Sequence, residues 1–409
     1  MKFFELSDEH RATIEGARAF ATHRLRPLRE AIDATADPAA RAELLHPVFV
    51  EAVEAGLLSS FLPAEVGGTA GDGVSAALAI EELAVESPEF VISMAGPLLA
   101  LAPLYAAGTP EQISRWVAPF LERTGAPLAA LAFSEPAGSA NFTMSGPGQG
   151  VQTTAVKDGD EWVINGLKAW SSHLPGWDGN GPDLMMIVTR TDKGLTLFAA
   201  GREELAGHIE VEEVYDLPGL RGCLTTRVRL NNVRVPDAHR VGEEGQGAEL
   251  TRGAFQASGA SIAAFAAGAM RRALEAALEF TSTQTRGGDR VILAHQSVAD
   301  VIARAKIRLE ATRLVAWRAM DAALSGSASA DEWSLIAKIE GSETAVKVIT
   351  ELMQAVGVSS YNNQSPLIGA LRDALAYPVI EGSNVGMRLR HYQEILLDPS
   401  FDARAAALG

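Results

Sequence analysis

The chain has 409 residues, and its hydrophobic share of 47% and charged share of 21% are typical of a folded protein with two or three domains. Its 35 basic and 51 acidic residues give a net charge of −16, which disfavours nucleic acid and anionic membranes as partners. Cys223 is the single cysteine, which excludes an intrachain disulfide and a cysteine zinc site, and we expect it to be a small buried hydrophobe.

Several classes of site are disfavoured by missing motifs. No apolar run approaches the roughly 20 residues that cross a bilayer, and Met1 to Leu6 carry no signal-peptide hydrophobic region. The eight histidines show no metal-ligand spacing, and neither GxGxxG nor a P-loop motif is present. We therefore expect a cytoplasmic protein without a metal ion and without a Rossmann or P-loop nucleotide site.

Residues 1–128 are predicted to form an N-terminal helical domain. Ser7 caps the first helix, in which apolar residues recur at helical spacing. Further helices are expected at about 47–56, 75–86, 93–107 and 111–121, separated by glycine and proline.

Residues 129–240 are predicted to form a middle β domain of short strands. Apolar or alternating segments indicate strands at 131–133, 151–156, 161–165, 184–189, 194–199, 208–214 and 226–230. Many short strands joined by turns favour a barrel or a sandwich.

Residues 241–409 are predicted to form a C-terminal helical bundle domain. Long amphipathic segments cover about 262–282, 294–325 and 331–356. Together with a last helix after Glu381 they predict a four-helix bundle. The expected fold class is therefore α+β, in the order helical, β, helical.

The segment Tyr377–Asn384 carries a candidate base. Glu381 closes a short apolar run, and apolar neighbours disfavour the ionised form of a carboxylate. Gly382 permits a tight turn, and Ser383 with Asn384 can cap the following helix. Arg388 stands seven residues after Glu381, about two helical turns, so it could be an ion partner. Taken alone, this segment favours the interpretation of Glu381 as an ordinary acid at a helix N-terminus.

Three more segments could contact a planar or phosphorylated ligand. Residues 134–141 put hydroxyl and backbone N–H groups at a strand end, and Trp170 with Ser171 and Ser172 offers an aromatic face with hydroxyls. The glycines and arginines around Arg286 suit a pyrophosphate. Taken singly, each segment could also be a turn or, for Trp170, part of the core.

Together, and in this order, these segments resemble the acyl-CoA dehydrogenase superfamily of FAD enzymes over nearly the whole chain. Phe133-Ser134-Glu135-Pro136 with Gly138-Ser139 looks like its first flavin loop, and Lys168-Ala169-Trp170-Ser171-Ser172 looks like its second. Arg286, Gln296 and Gln354 fall where the family binds the FAD pyrophosphate and adenine, partly across a subunit boundary. The resemblance implies noncovalent FAD and cofactor contacts from Phe133, Ser134, Gly138, Ser139, Trp170, Ser171, Ser172, Arg286, Gln296, Gln354, Gly357 and Ser383.

Within the superfamily the chain most resembles the nitroalkane oxidase branch. Gly176-Trp177-Asp178, Thr285-Arg286-Gly287-Gly288 and residues 295–300 look like that branch. The resemblance implies a catalytic group of Glu381, Arg388 and Ser258, in which Arg388 pairs with the base.

The sequence also departs from both patterns. Nitroalkane oxidases carry Asp at the position of Glu381, whereas Glu is the dehydrogenase type of base. Dehydrogenases usually carry Arg near Gly259 and Asp at the position of Ala140. The chain therefore combines the base of one class with the surroundings of the other.

The resemblance implies that Glu381 removes an acidic α-proton and that the substrate reduces FAD. We rank α,β-dehydrogenation of an acyl thioester first, either CoA-bound or carrier-bound, with an electron-transferring flavoprotein as acceptor. Nitroalkane oxidation through a flavin adduct with O2 is second, followed by a non-catalytic flavin-binding protein and a flavin monooxygenase. A homotetramer is expected.

Overall fold

The computed structural model describes residues 5–404, so Met1 to Phe4 of the N-terminal segment lie outside the described residues. The N-terminal part consists of six helices: α1 Asp8–Phe20, α2 Arg26–Ala34, α3 Pro38–Glu54, α4 Gly73–Ala84, α5 Pro88–Ala107 and α6 Pro110–Leu121.

Two of these helices begin earlier than the sequence predicted. Asp37 caps α3 and Ser87 caps α5, and in each case a proline occupies the first turn, where its missing N–H costs nothing. The predicted start near Pro47 was wrong, because that proline lies inside α3.

Helix α5 contradicts the expectation that no apolar run of this chain approaches the length needed to cross a bilayer. It has 20 residues, and by length and composition alone it could cross a membrane. In the structure half of that stretch is buried inside the protein, and Phe90, Met94, Leu101 and Leu104 lie in the main core. Core helices pass the same length test, so α5 is weak evidence for a membrane.

The middle of the chain forms one mixed sheet, where the sequence predicted a barrel or a sandwich. The strands are β1 Ala129–Ala132, β2 Thr154–Asp158, β3 Glu161–Ser172, β4 Leu184–Thr191, β5 Gly194–Ala200, β6 Ile209–Val214, β7 Thr225–Pro236 and β8 Arg240–Val241, with a short helix α7, Arg202–Leu205, after β5. The strand order in the sheet is β6-β7-β3-β2-β4-β5-β8, and β1 pairs with β4 in parallel.

The sheet is covered on both faces. In β4, Met186 and Val188 pack into the large core shared with the helices, whereas Met185 and Ile187 pack into a second core. A strand buried on both faces reads as a continuous apolar run, which explains the composition of β4.

The C-terminal part consists of α8 Gly247–Gly259, α9 Ile262–Thr283, α10 Gln296–Leu324, α11 Ala330–Val356, α12 Pro366–Ala374 and α13 Leu389–Leu397. Helices α9, α10 and α11 pack against one another, and α4 packs against α9 and α10. The helix after Glu381, expected to complete the bundle, is the short α13, on which Leu389, Leu396 and Leu397 are exposed.

A buried ion network joins α4 to the bundle. Arg271 of α9 forms two hydrogen bonds with Glu82, of 2.6 and 2.8 Å, and Arg313 of α10 bonds Glu81. Burial alone would raise the pKa of Glu82, but Arg271 and Arg18 outweigh it, so the pKa is lowered from 4.5. The network therefore couples the N-terminal helices to the bundle.

We expect Glu82→Ala to destabilise the protein by about 3 kcal/mol, because it removes the two short hydrogen bonds of the buried Arg271 and leaves that charge only its longer contacts to Glu81 and Glu275. Denaturant unfolding measures this, with Lys306→Ala as the control, since Lys306 pairs with Glu310 on the surface and should contribute at most about 1 kcal/mol. Because the pKa of Glu82 is lowered, the difference should be full above pH 4.5 and shrink as the pH falls further. Equal effects of the two variants would contradict this account.

Candidate active site

A cavity of about 970 Å³ lies where the sheet meets the C-terminal helices. Its walls come from α5, the ends of β1 and β3, α8, α9 and residues 375–387. This volume is at the upper end of the range for sites that bury a ligand. Among the described residues that line it, Glu381 is the only carboxylate.

Glu381 lies on a tight turn between α12 and α13. Its φ is +51° and that of Gly382 is +76°, so two successive residues adopt the left-handed conformation. A non-glycine residue in that conformation costs about 1–3 kcal/mol and persists only where its surroundings fix it. Ser383 caps the next helical turn by accepting from the N–H of Gly386 at 3.0 Å, as predicted for this position.

The carboxylate of Glu381 is oriented by Ser258 of α8. The Ser258 hydroxyl donates to Oε2 of Glu381 at 2.5 Å, and both side chains line the cavity. No described residue forms a hydrogen bond to Oε1 of Glu381. One carboxylate oxygen is thus fixed and the other is available to a ligand.

Arg388 holds the turn by binding the backbone carbonyl of Glu381. The sequence had predicted an ion pair between Arg388 and the Glu381 carboxylate instead. Its guanidinium donates to the carbonyl oxygen of Glu381 at 2.6 and 2.9 Å and to that of Phe255 at 2.6 Å. The reason is geometric, because the turn directs the carbonyl of Glu381 towards the helix that follows. Burial lowers the pKa of Arg388 to about 10, against the opposing effect of Glu381 and Asp331, so the guanidinium stays charged at neutral pH.

Gly259 makes room for this guanidinium. A Cβ at Gly259 would lie 2.7 Å from Nη2 of Arg388 and 2.7 Å from Oγ of Ser334, closer than real Cβ contacts. The sequence singled out Gly259 as a departure from the dehydrogenase pattern. In the structure Arg388 occupies the space that a side chain at position 259 would need.

The first predicted loop presents unused donors to the cavity. Ser134 and residues 137–141 line it, and the backbone N–H groups of Ala137, Ser139 and Ala140 form no hydrogen bond within residues 5–404. Ser139 donates its hydroxyl to Ser134 at 2.9 Å. Such a row of N–H groups suits the polar edge of a planar ligand.

A buried ion pair joins this loop to β3. Lys168 is fully buried and donates to Glu135 at 3.0 Å and to the carbonyl of Val188 at 2.7 Å. Burial lowers the pKa of Lys168 to about 8 against the opposing effect of Glu135. Since Lys168 also donates to the carbonyl of Phe133, the two predicted loops share one rigid support.

Trp170 lies outside the core. A register shift between Ala169 and Ser171 marks a β-bulge in β3, and Trp170 there has a φ of +65°. Bulges re-aim side chains, and this indole is 55% exposed and stacks on Tyr215 with the ring centres 4.0 Å apart. Ser171 and Ser172 follow it along the cavity wall.

The structure does not bring the three outer candidates to the cavity. Arg286, Gln296 and Gln354 are exposed and do not line it. Arg286 bonds the carbonyl of Val356 next to Gly357, and Gln296 donates to Asp300 at 2.7 Å. Of the predicted residues, Phe133, Ser134, Gly138, Ser139, Trp170, Ser171, Ser172, Ser258, Glu381 and Ser383 do line the cavity.

The sequence missed polar groups beside and behind the cavity. Ser93 and His173 lie on its wall, 2.7 Å apart, and Lys338 lies fully buried behind the Glu381 turn. Lys338 could have been found as a charged residue on the buried stripe of α11 that includes Leu335 and Ala345. Cys223 is buried, as expected.

The chain matches two known domain families. The acyl-CoA dehydrogenase N-terminal domain matches residues 7–124, and the acyl-CoA dehydrogenase C-terminal domain matches residues 245–396.

Full-length relatives include two types of enzyme. The nitroalkane oxidase of Podospora anserina is 36% identical over 99% of this chain and 98% of its own, and its solved structure gives a TM-score of 0.94 over 100% of both chains. The nitroalkane oxidase of Fusarium oxysporum is 33% identical over 99% of this chain and 97% of its own. The cyclohexane-1-carbonyl-CoA dehydrogenase of Geobacter metallireducens is 28% identical over 96% of this chain and 99% of its own.

The space at Gly259 generates a test. Gly259→Ala should destabilise the protein by about 1–3 kcal/mol, because the methyl group must displace the pinned guanidinium of Arg388. Gly253→Ala on the same helix is the control, since a Cβ there meets nothing within 4 Å and should stabilise by about 0.4–1 kcal/mol. Thermal unfolding of both variants measures the difference, and a Gly259→Ala protein as stable as the control would refute the close contact.

Proposed function

The chain belongs to the acyl-CoA dehydrogenase family, and on that premise we propose that it is an FAD-dependent oxidase of small nitroalkanes with Glu381 as its base. The observation that carries the proposal is the geometry of Glu381. Among residues 5–404 its carboxylate is the only one on the wall of this large cavity, and Ser258 fixes one of its two oxygens.

The cavity fits the flavin part of FAD. Free backbone N–H groups of the first loop supply donors for a heterocycle edge, and Ser171 and Ser172 of the second loop also line the cavity. We propose that Phe133, Ser134, Gly138, Ser139, Trp170, Ser171, Ser172 and Ser383 hold this part. Bound FAD supplies the two-electron oxidation of the substrate.

The outer part of FAD needs a second copy of the chain. Arg286 and Gln296 are exposed and lie away from the cavity wall, yet their donors suit a pyrophosphate and an adenine. We propose that these residues, with Gln354 and Gly357, contact the cofactor of a neighbouring subunit in a homotetramer. Symmetric homo-oligomers are common among soluble enzymes.

The surroundings of Glu381 favour a nitroalkane over a thioester. Arg388 fills the space at Gly259, where dehydrogenases usually carry an arginine, and Ala140 lacks the usual aspartate. The two nitroalkane oxidases are also more similar to this chain than the cyclohexane-1-carbonyl-CoA dehydrogenase is. One solved structure of a nitroalkane oxidase concerns the roles of an arginine and an aspartate in the reaction of that flavoprotein. These observations reverse the order expected from the glutamate base alone.

The chain's own residues supply the proton chemistry. A nitro group makes the adjacent C–H acidic, and Oε1 of Glu381 takes that proton while Ser258 keeps Oε2 in place. Arg388 donates to the backbone carbonyl of Glu381 and so holds the turn that presents this carboxylate. Oxidation of the carbon with O2 and water yields an aldehyde, nitrite and hydrogen peroxide.

Acyl-thioester dehydrogenation is the second candidate. The observation that favours it is the identity of the base, because Glu381 is the dehydrogenase type. The proton would leave the carbon next to the thioester carbonyl and be held by the same carboxylate.

The two candidates differ in which compound reduces the flavin. When the anaerobic holoenzyme is mixed with nitroethane and, separately, with butyryl-CoA, we expect nitroethane to bleach the flavin absorbance and butyryl-CoA to leave it unchanged. Nitrite released after oxygen is admitted is the second measurement. Bleaching by butyryl-CoA alone would overturn the proposal in favour of the dehydrogenase.

The role of Glu381 is tested by removing its base. Glu381→Gln keeps the shape of the side chain and should slow flavin reduction by nitroethane by about 10²- to 10⁴-fold, because general-base catalysis is lost. The FAD spectrum should stay the same, and ethyl nitronate, which has already lost its proton, should still reduce the flavin. The control is Glu203→Gln, since Glu203 is 90% exposed and outside the cavity. A Glu381→Gln enzyme with the wild-type rate would exclude Glu381 as the base.

A further inference from the structure

A buried lysine lies directly behind the turn that carries Glu381. Lys338 of α11 is 0% exposed, and its Nζ donates to the carbonyl oxygen of Tyr377 and, at 2.8 Å, to Oδ1 of Asn384. Burying a charged ammonium is costly, so a lysine is kept inside a protein only where it forms specific contacts.

The two partners of Lys338 bracket the catalytic turn. Tyr377 stands before the turn and Asn384 after it, so one ammonium joins its two ends. The backbone N–H of Asn384 also donates to the carbonyl of Pro378 at 2.9 Å. The side-chain amide of Asn384 donates in turn to Ser342 of α11 at 3.0 Å. The base of the turn is thereby tied to the bundle.

The turn needs such a tie because its conformation is strained. Glu381 has a φ of +51°, which a non-glycine residue adopts only when its surroundings fix it. Arg388 holds the carbonyl of Glu381 on one side, and Ser258 holds the carboxylate on another. Without Lys338 the carbonyl of Tyr377 would have no hydrogen-bond partner among the described residues, and the bond from Asn384 to Pro378 would remain as the direct link between the two ends.

We propose that Lys338 is a positioning residue for proton abstraction by Glu381. Its hydrogen bonds to Tyr377 and Asn384 hold the two ends of the turn together, so that the carboxylate of Glu381 faces the substrate carbon. This inference rests on the proposed function. Lys338 forms no hydrogen bond with Glu381 and does not line the cavity, so it acts through the turn.

The two hydrogen bonds from Lys338 do not require its side chain to be charged. Burial, followed by repulsion from Arg388, lowers the pKa of Lys338 to about 7, while Glu381 and Glu343 oppose this effect. A neutral amine still has two N–H donors, enough for both contacts. The hydrogen bonds therefore persist when Lys338 loses its proton.

Lys338→Met tests the proposal, because methionine fills similar space and leaves no buried charge behind. We expect the rate of flavin reduction by nitroethane to fall on the order of 10²-fold, the effect of a misplacement of about 1 Å. Ethyl nitronate needs no base, so its rate should stay near that of the wild type. The matched control is Lys347→Met, the same change at an exposed position of the same helix.

Hydrogen exchange gives a readout that needs no turnover. Amides of residues 377–388 should exchange faster in Lys338→Met than in Lys347→Met, while those of α9 stay protected. If Lys338→Met does not fold, Asn384→Ala removes one of the two acceptors and should show the same selective loss of the nitroethane rate.

Equal losses with nitroethane and nitronate, no loss with either, or unchanged exchange at 377–388 would overturn the inference. A wild-type enzyme that oxidises neither compound would instead refute the proposed function. In that case the exchange comparison alone would decide whether Lys338 holds the turn.

Discussion

The site depends on one constraint, a glutamate held in the left-handed conformation so that its carboxylate points into the cavity. Ser258 binds the carboxylate, Arg388 binds the carbonyl, and Lys338 joins the residues on either side. Each contact comes from a different part of the C-terminal domain. The free energy of packing these helices therefore offsets the backbone strain at Glu381.

The rest of the fold keeps that arrangement stiff. The buried ion network of α4 fixes the bundle against the N-terminal helices, and the Lys168–Glu135 pair fixes the two loops that also line the cavity. Gly259 contributes by having no side chain, since any Cβ there would meet the guanidinium of Arg388. The base and the hydrogen-bond donors thus line one cavity, which the proposed carbon-acid oxidation requires.

Patterns local in sequence predicted much of this molecule. Helical and strand periodicity gave the order of elements, and the Glu381-Gly382-Ser383 segment identified the turn and its cap. Contacts that depend on backbone direction were not predictable. Spacing alone could not reveal that Arg388 binds a carbonyl, and a bulge at Trp170 depends on pairing with a distant strand. Lys338 was missed because the residue that it binds before the turn, Tyr377, lies 39 residues further along the chain.

The most direct measurement of the central claim is the rate of anaerobic flavin reduction by nitroethane and by its 1,1-dideuterated form. If Glu381 removes the proton from this carbon in the step that permits reduction, the deuterated compound must react more slowly under single-turnover conditions. The two corresponding nitronates should reduce the flavin at nearly equal rates, because no proton transfer remains. Equal rates for the two forms of nitroethane would contradict the claim that Glu381 removes a proton from this carbon in the step that permits flavin reduction.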